Sequence, residues 1–145
     1  MSEQNEKNSI CLDYYSGAYG PTIRIDIQSM ESLKKIKNVF QSLSHKVGEE
    51  TNLVDLENIK FIGLNKFILI SIPEDQKTEK KLFLTQKDDL VEFFWKTSCR
   101  NWDMIMLLVE GLIEGNNPGH QYLTEEGIDD ALVELAFLEY RPNER

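Results

Sequence analysis

The strand-rich region 53–96 constrains the fold of this chain most, because it holds four short β-type segments separated by turn signals. The segments, rich in β-branched and aromatic residues, are 59–62, 67–72, 82–85 and 90–95. A predicted turn at 63–66 separates the first two, and a predicted turn at 86–89 separates the last two. Connections this short favour antiparallel pairing, so the region predicts a largely antiparallel sheet.

Amphipathic helical patterns lie on both sides of this region. Residues 30–44 carry apolar side chains at helical spacing and follow Ser29, a predicted N-cap. Residues 101–115 repeat the pattern, from a predicted N-cap at Asn101 to Gly115 as the end of the helix. The apolar positions are Leu33, Ile36, Phe40 and Leu43 in the first helix, and Trp102, Ile105, Met106, Val109, Leu112 and Ile113 in the second.

The two ends of the chain add further strands. Ile23, Ile25 and Ile27 alternate with polar residues, the period of a half-buried strand. The aromatic segment 13–21 before them is predicted to be a turn-rich loop, and residues 1–9 a flexible tail. Segment 132–140 suits a helix by composition, but its alternating pattern favours a last strand.

The resulting order, β-α-β-β-β-β-α-β, predicts an α+β fold. A length of 145 residues suits a single domain with one hydrophobic core. We therefore expect a largely antiparallel sheet of about five to six strands, with the two helices packed on one face.

The charge of the chain is concentrated in its last third. Residues 101–145 hold ten Asp and Glu against two Lys and Arg, whereas residues 1–100 hold fifteen against fourteen. Such a local excess attracts a basic partner and repels nucleic acid and anionic membranes. A net charge of −9 therefore argues for a protein partner and against nucleic acid or membrane as the target.

Compartment signals indicate the cytoplasm. The opening residues 1–8 are polar and lack the layout of a signal peptide. The longest apolar stretch, 104–113, is interrupted by Glu110 and Gly111 and is too short to cross a bilayer. Cys11 and Cys99 belong to no C-x-x-C pair and are typical of a reducing compartment.

Surface residues of the acidic third are the predicted partner-binding site. Carboxylates would steer a basic protein, and the loop residues His120 and Tyr122 would add contacts. The predicted partner-binding residues are Asp103, Glu110, Glu114, His120, Tyr122, Glu125, Glu126, Asp129, Asp130 and Glu134. The alternative is that these acids only keep the protein soluble, as in an acidic regulatory or scaffold module.

A small enzyme is the other alternative. It would use Cys99 or His120, or both in a Cys99–His120–Asp arrangement. Cys99 precedes a predicted helix and adjoins Arg100, a setting that activates thiols. Small buried cysteines beside aromatic residues are commoner than nucleophiles, so we expect no catalytic residues. We also expect no cofactor and no metal. His45 and His120 form no ligand motif, and 125–130 lacks the Asp/Asn spacing of an EF-hand loop.

Three stretches give the chain a family resemblance: 20–25 (Gly-Pro-Thr-Ile-Arg-Ile), 119–124 (Gly-His-Gln-Tyr-Leu-Thr) and 129–134 (Asp-Asp-Ala-Leu-Val-Glu). Over about residues 19–140, the chain resembles the small bacterial immunity proteins of polymorphic-toxin and contact-dependent growth inhibition systems. The resemblance implies a cytosolic α+β protein that binds a toxin domain and blocks its active site without catalysis of its own. Where such toxins are nucleases, an acidic inhibitor surface stands in for phosphate.

Overall fold

The computed structural model describes residues 9–139, which form one α+β domain, as predicted. The helices within this range are α1 (Met30–His45) and α2 (Cys99–Gly115), with short 3-10 turns at Leu53–Asp55 and Glu74–Gln76. The strands are β1 (Ile10–Gly17), β2 (Gly20–Ile27), β3 (Glu50–Asn52), β4 (Ile59–Ile62), β5 (Lys66–Ile72), β6 (Leu82–Lys87), β7 (Leu90–Ser98), β8 (Gly119–Tyr122) and β9 (Leu132–Phe137). Residues 1–8 of the predicted tail lie outside the described residues.

The strands are divided between two mixed sheets. The first has the order β4-β1-β2-β9-β8, and the second has the order β3-β5-β7-β6. The antiparallel pairs are β1–β2, β8–β9, β3–β5 and β6–β7, and the parallel pairs are β1–β4, β2–β9 and β5–β7. Three antiparallel pairs join strands that are consecutive in the chain. Short turns connect β1–β2 and β6–β7, and the loop 123–131 connects β8–β9.

The predicted turn at 63–66 links the two sheets instead of closing a hairpin. Strand β4 pairs with β1, whereas β5 pairs with β3 and β7. Gly63 makes this crossing possible, because its φ is +84° and a Cβ there would lie 2.6 Å from the carbonyl oxygen of Tyr14. No residue with a side chain fits so close to a neighbouring backbone.

The segment predicted as a loop at 13–21 is mostly strand. Strand β1 runs to Gly17 and pairs along its whole length with β2, including Asp13 with Arg24. Its Ser, Gly and Tyr residues resemble loop composition, but Ile10, Leu12 and Tyr14 alternate toward the core. Strand β2 is also more buried than predicted, since every residue from Thr22 to Ile27 is buried.

Both helices lie where predicted, with one change of cap. Ser29 caps α1, and its Oγ accepts a hydrogen bond from the Ser32 N–H at 3.1 Å. Helix α2 begins at Cys99, capped by Ser98, so the predicted cap at Asn101 is wrong. Asn101 instead donates from its amide nitrogen to Oγ1 of Thr97 at 2.8 Å. Ser98, the last residue of the long strand β7, therefore outcompetes the Asn three positions later as the cap.

The predicted last strand is confirmed as β9, and Tyr140 lies outside the described residues. Its residues Leu132–Phe137 are all buried, so neither face of β9 is open to solvent, and its two edges pair with β2 and β8. Val133, Leu135 and Phe137 belong to the main core, as their alternation predicts.

An aromatic cluster joins the helices to the second sheet. The Phe40 ring of α1 stacks on Trp102 of α2 at 5.8 Å and meets Trp95 of β7 edge-on at 6.1 Å. All three side chains are fully buried. The indole N–H of Trp102 donates to the carbonyl oxygen of Ile70 at 3.2 Å, so its polar atom is paired.

Truncation of Phe40 tests whether this cluster holds the layers together. Phe40→Ala leaves a cavity between two tryptophans and should lower the free energy of unfolding by about 3–5 kcal/mol. Val47→Ala is the control, because Val47 is 52% exposed and its loss should change stability by about 0.5 kcal/mol or less. Urea unfolding followed by tryptophan fluorescence measures both. Equal stabilities of the two variants would contradict this role of Phe40.

Candidate partner-binding site

Two adjacent aspartates hold the loop that follows β8. The Oδ1 atom of Asp129 accepts hydrogen bonds from the backbone N–H of Lys81 at 2.6 Å and of Leu82 at 2.9 Å. Its Oδ2 atom accepts from the N–H of Glu125 at 3.0 Å. One carboxylate therefore fixes the loop to itself and to the start of β6, the edge strand of the second sheet.

Asp130 extends the same attachment along β6. Its Oδ2 accepts from the N–H of Leu84 at 2.8 Å, its Oδ1 lies 2.6 Å from Nζ of Lys80, and its own N–H donates to the Leu82 carbonyl at 3.1 Å. Both aspartates therefore use their carboxylates in contacts within the molecule. Their predicted role in partner binding stays a prediction, whereas their role in positioning the loop follows from the geometry.

A buried arginine gathers further acids on the outer face of the first sheet. Arg24 of β2 has Nη1 3.8 Å from Glu134, and Nη2 3.9 Å from both Asp26 and Glu139. Within the described residues, its Nε and Nη2 atoms make no hydrogen bond, so these carboxylates balance its charge as ion pairs. Glu134, predicted to bind a partner, is buried in this network.

His120 also belongs to this network, and together with Glu134 and Glu139 it forms a group of possible metal ligands. Its Nδ1 lies 2.8 Å from Oε2 of Glu139, and the ligand atoms of His120, Glu134 and Glu139 all lie within 4.8 Å of one another. The guanidinium of Arg24 already lies within 4 Å of both carboxylates. A divalent cation there would repel this fixed positive charge, so the geometry favours an ion-pair network over a metal centre.

Beside this network, an aromatic groove opens at the edge of the first sheet. We define it by Tyr19, His120, Tyr122, Thr124, Glu126 and Leu132, which line a cavity of about 480 Å³. Tyr19 comes from the β1–β2 turn and is 63% exposed, and Tyr122 of β8 is 43% exposed. Partial burial, reinforced by the negative charge of Glu134, raises the pKa of the Tyr122 phenol. Like an ordinary tyrosine, this phenol is protonated at neutral pH and able to donate a hydrogen bond.

The remaining predicted acids lie on or near α2. Asp103 and Glu114 are exposed on the helix, and Glu125 and Glu126 are exposed in the loop. Glu110 is half-buried, and its Oε2 lies 3.4 Å from Nζ of Lys37 on α1. The structure thus brings His120, Tyr122 and Glu126 into one groove and leaves Asp103 and Glu114 on the neighbouring helix.

No family model, curated protein or solved structure matches this chain. The resemblance to immunity proteins therefore depends on the three sequence stretches that suggested it. Within residues 9–139, neither helix has the length and apolar character that crossing a bilayer requires.

The two residues of the enzymatic alternative have different partners. Cys99 Sγ lies 3.2 Å from Oγ of Ser71 on β5, whereas His120 pairs with Glu139 and stacks edge-on against Tyr122. Among the described residues, no hydrogen bond joins this thiol to this imidazole. A Cys99–His120 nucleophile pair would need such contact, and the geometry gives that arrangement no support.

Sequence reasoning missed Arg24 and Glu139 as parts of this region. Arg24 stands at an outward position of an alternating strand, and such positions normally face water. The signal available was the Arg24–Asp26 alternation, since opposite charges two residues apart lie on the same face of a strand. Their burial depends on the parallel pairing of β2 with β9, which brings Glu134 beside Arg24.

Removal of the Asp129 carboxylate should loosen the loop that carries the groove. Asp129→Ala leaves the N–H groups of Lys81, Leu82 and Glu125 without their acceptor, so we expect a loss of about 2–3 kcal/mol in unfolding free energy. Native-state amide exchange at Lys81 and Leu82 should accelerate. Glu126→Ala removes a nearby exposed carboxylate and should change neither quantity. Unchanged exchange in Asp129→Ala would contradict the attachment.

Proposed function

We propose that this chain is a non-catalytic inhibitor that binds a bacterial toxin domain in the cytoplasm and occludes its active site, as the resemblance implies. The observation that carries the proposal is the aromatic groove, which places exposed Tyr19 and Tyr122 beside Glu126. Residues 101–139, which supply most of the groove, contain nine Asp and Glu and no Lys or Arg.

The groove has the composition of a protein-binding centre. Tyrosines dominate the energetics of many interfaces, because they bury a large rigid area and keep a hydroxyl for hydrogen bonding. Tyr19 enters from the β1–β2 turn, and His120 and Tyr122 stand on the edge strand β8, which pairs with β9. A scaffold of paired strands keeps such anchors in place before the partner arrives, which lowers the entropic cost of binding.

The charge of this surface selects the class of partner. Glu125 and Glu126 are exposed beside the groove and would attract Lys and Arg side chains, and they would repel nucleic acid. Where the toxin is a nuclease, the same carboxylates would occupy the basic positions that hold phosphate. The proposed partner is therefore a basic toxin domain, and neither nucleic acid nor a membrane is proposed as a target.

Coexpression tests the function. The product of the adjacent gene, expressed alone in a bacterial host, should arrest growth, and coexpression of this chain should restore growth through a one-to-one complex. Tyr19→Ala and Tyr122→Ala should each weaken that complex by about thirtyfold or more, measured by titration calorimetry. Absence of both rescue and complex would make the acidic region a solubilising or scaffold surface and overturn the proposal.

Charge reversal of the exposed loop acids tests whether they accelerate the association of the partner by electrostatic attraction. Glu125→Lys with Glu126→Lys should lower the association rate constant by about tenfold at low salt, with a smaller effect at high salt. Glu50→Lys with Glu57→Lys is the matched control, because these exposed acids adjoin β3 and β4, the sheet edges opposite β6 and β8. Equal association rates for the two double variants would show that the acidic loop plays no part in steering.

A further inference from the structure

Helix α2 exposes an apolar strip on its outer face. Met104, Leu107 and Leu108 are 61%, 53% and 38% exposed, and their spacing places them together on one side of the helix. Trp102, Ile105 and Val109 form the buried side of the same helix. A helix that needs only one apolar face to pack on its domain would have polar residues at the exposed positions.

A cavity lies beside the strip, and two of the strip residues line it. Met104 and Leu108 line a cavity of about 290 Å³ together with Leu123 and Glu125 of the loop after β8, and with the buried Trp95. The volume suits one large apolar side chain of a partner. Asp129 also lines the cavity, so its hydrogen bonds to β6 hold the loop wall in place.

Carboxylates border the strip on both sides. Asp103 and Glu114 are exposed on α2 along one side, and Glu125 is exposed across the cavity on the other. The nearby cations are Arg100 at the start of α2 and Lys81 at the cavity, whose Nζ donates to the carbonyl of Glu79 at 3.2 Å. The borders along the strip are therefore acidic, with positive charge at its β7 end.

We propose that the strip of Met104, Leu107 and Leu108 docks an amphipathic helix of a partner protein, with an apolar ridge flanked by Lys and Arg. The apolar ridge would enter the cavity while its cations meet Asp103, Glu114 and Glu125. A second copy of this chain fits worse, because a symmetric pair would place these acids against each other.

This docking surface deepens the proposed function, on which the identity of the partner as a basic protein rests. Thr124 lines both the cavity and the aromatic groove, so the two binding regions adjoin. One partner can therefore contact both, with the helix on α2 and a second segment in the groove. Two adjoining contacts account for a larger interface than the groove alone provides.

A designed peptide tests the strip without the natural partner. The probe is an 18-residue helix with Leu at positions i, i+3, i+4 and i+7 and Lys elsewhere. It should bind the wild-type chain and quench the fluorescence of the tryptophans. Met104→Gln with Leu108→Gln should weaken binding at least tenfold, whereas Val47→Gln with Leu90→Gln, at exposed apolar positions elsewhere, should not. Thermal melts of both variants verify that they are folded.

Three results would overturn the docking surface. They are equal peptide binding by the two double variants, equal binding of a peptide with Glu in place of every Lys, and a dimer in light scattering that Met104→Gln with Leu108→Gln abolishes. Tyr19→Ala with Tyr122→Ala should leave peptide binding unchanged. Failure of the wild-type chain to restore growth, although it binds the peptide, would count against the proposed function alone. Growth rescue by a wild-type chain that does not bind the peptide would count against the strip alone.

Discussion

The attachment of Asp129 and Asp130 to β6 is the interaction on which the proposed binding region depends. The loop that carries them leaves the first sheet, and their carboxylates and one backbone N–H bind the edge of the second. This edge would otherwise present unpaired N–H groups to solvent. The same bonds shape one wall of the cavity beside α2 and fix the approach to the aromatic groove. The side chains of Asp129 and Asp130 therefore both attach the loop to the second sheet and shape the proposed binding region.

The acidic third of the chain divides into acids that build the molecule and acids that remain on its surface. Asp129 accepts hydrogen bonds from backbone amides, whereas Lys80 and Arg24 balance the charges of Asp130 and Glu134. Exposed carboxylates such as Glu125 and Glu126 are the ones that project a field into solvent. Net charge alone therefore overstates the strength of an acidic surface, since only unbalanced charges steer a partner over a Debye length.

The sequence predicts elements of this fold better than their partners. The spacing of Leu33, Ile36 and Phe40 predicts α1, because helix periodicity is a local property. The turn at Gly63 marks a change of direction, but local chemistry does not reveal that the next strand joins another sheet. In the site, exposed His120 and Tyr122 are recognisable as loop-adjacent polar residues. The role of Asp129 is not recognisable, because its carboxylate accepts hydrogen bonds from the backbone N–H groups of Lys81 and Leu82, which lie far away in the sequence.

The parallel pairing of β2 with β9 has a consequence for how the chain is made. Thr22 pairs with Leu132 and Ile27 with Phe137. The centre of the first sheet therefore cannot form until β9 has been synthesised, more than 100 residues after β2. During translation, the β1–β2 hairpin emerges with one flank open, and the ribosome must release residue 137 before that flank closes. Long-range pairing of this kind slows folding and lengthens the exposure of apolar strands to aggregation.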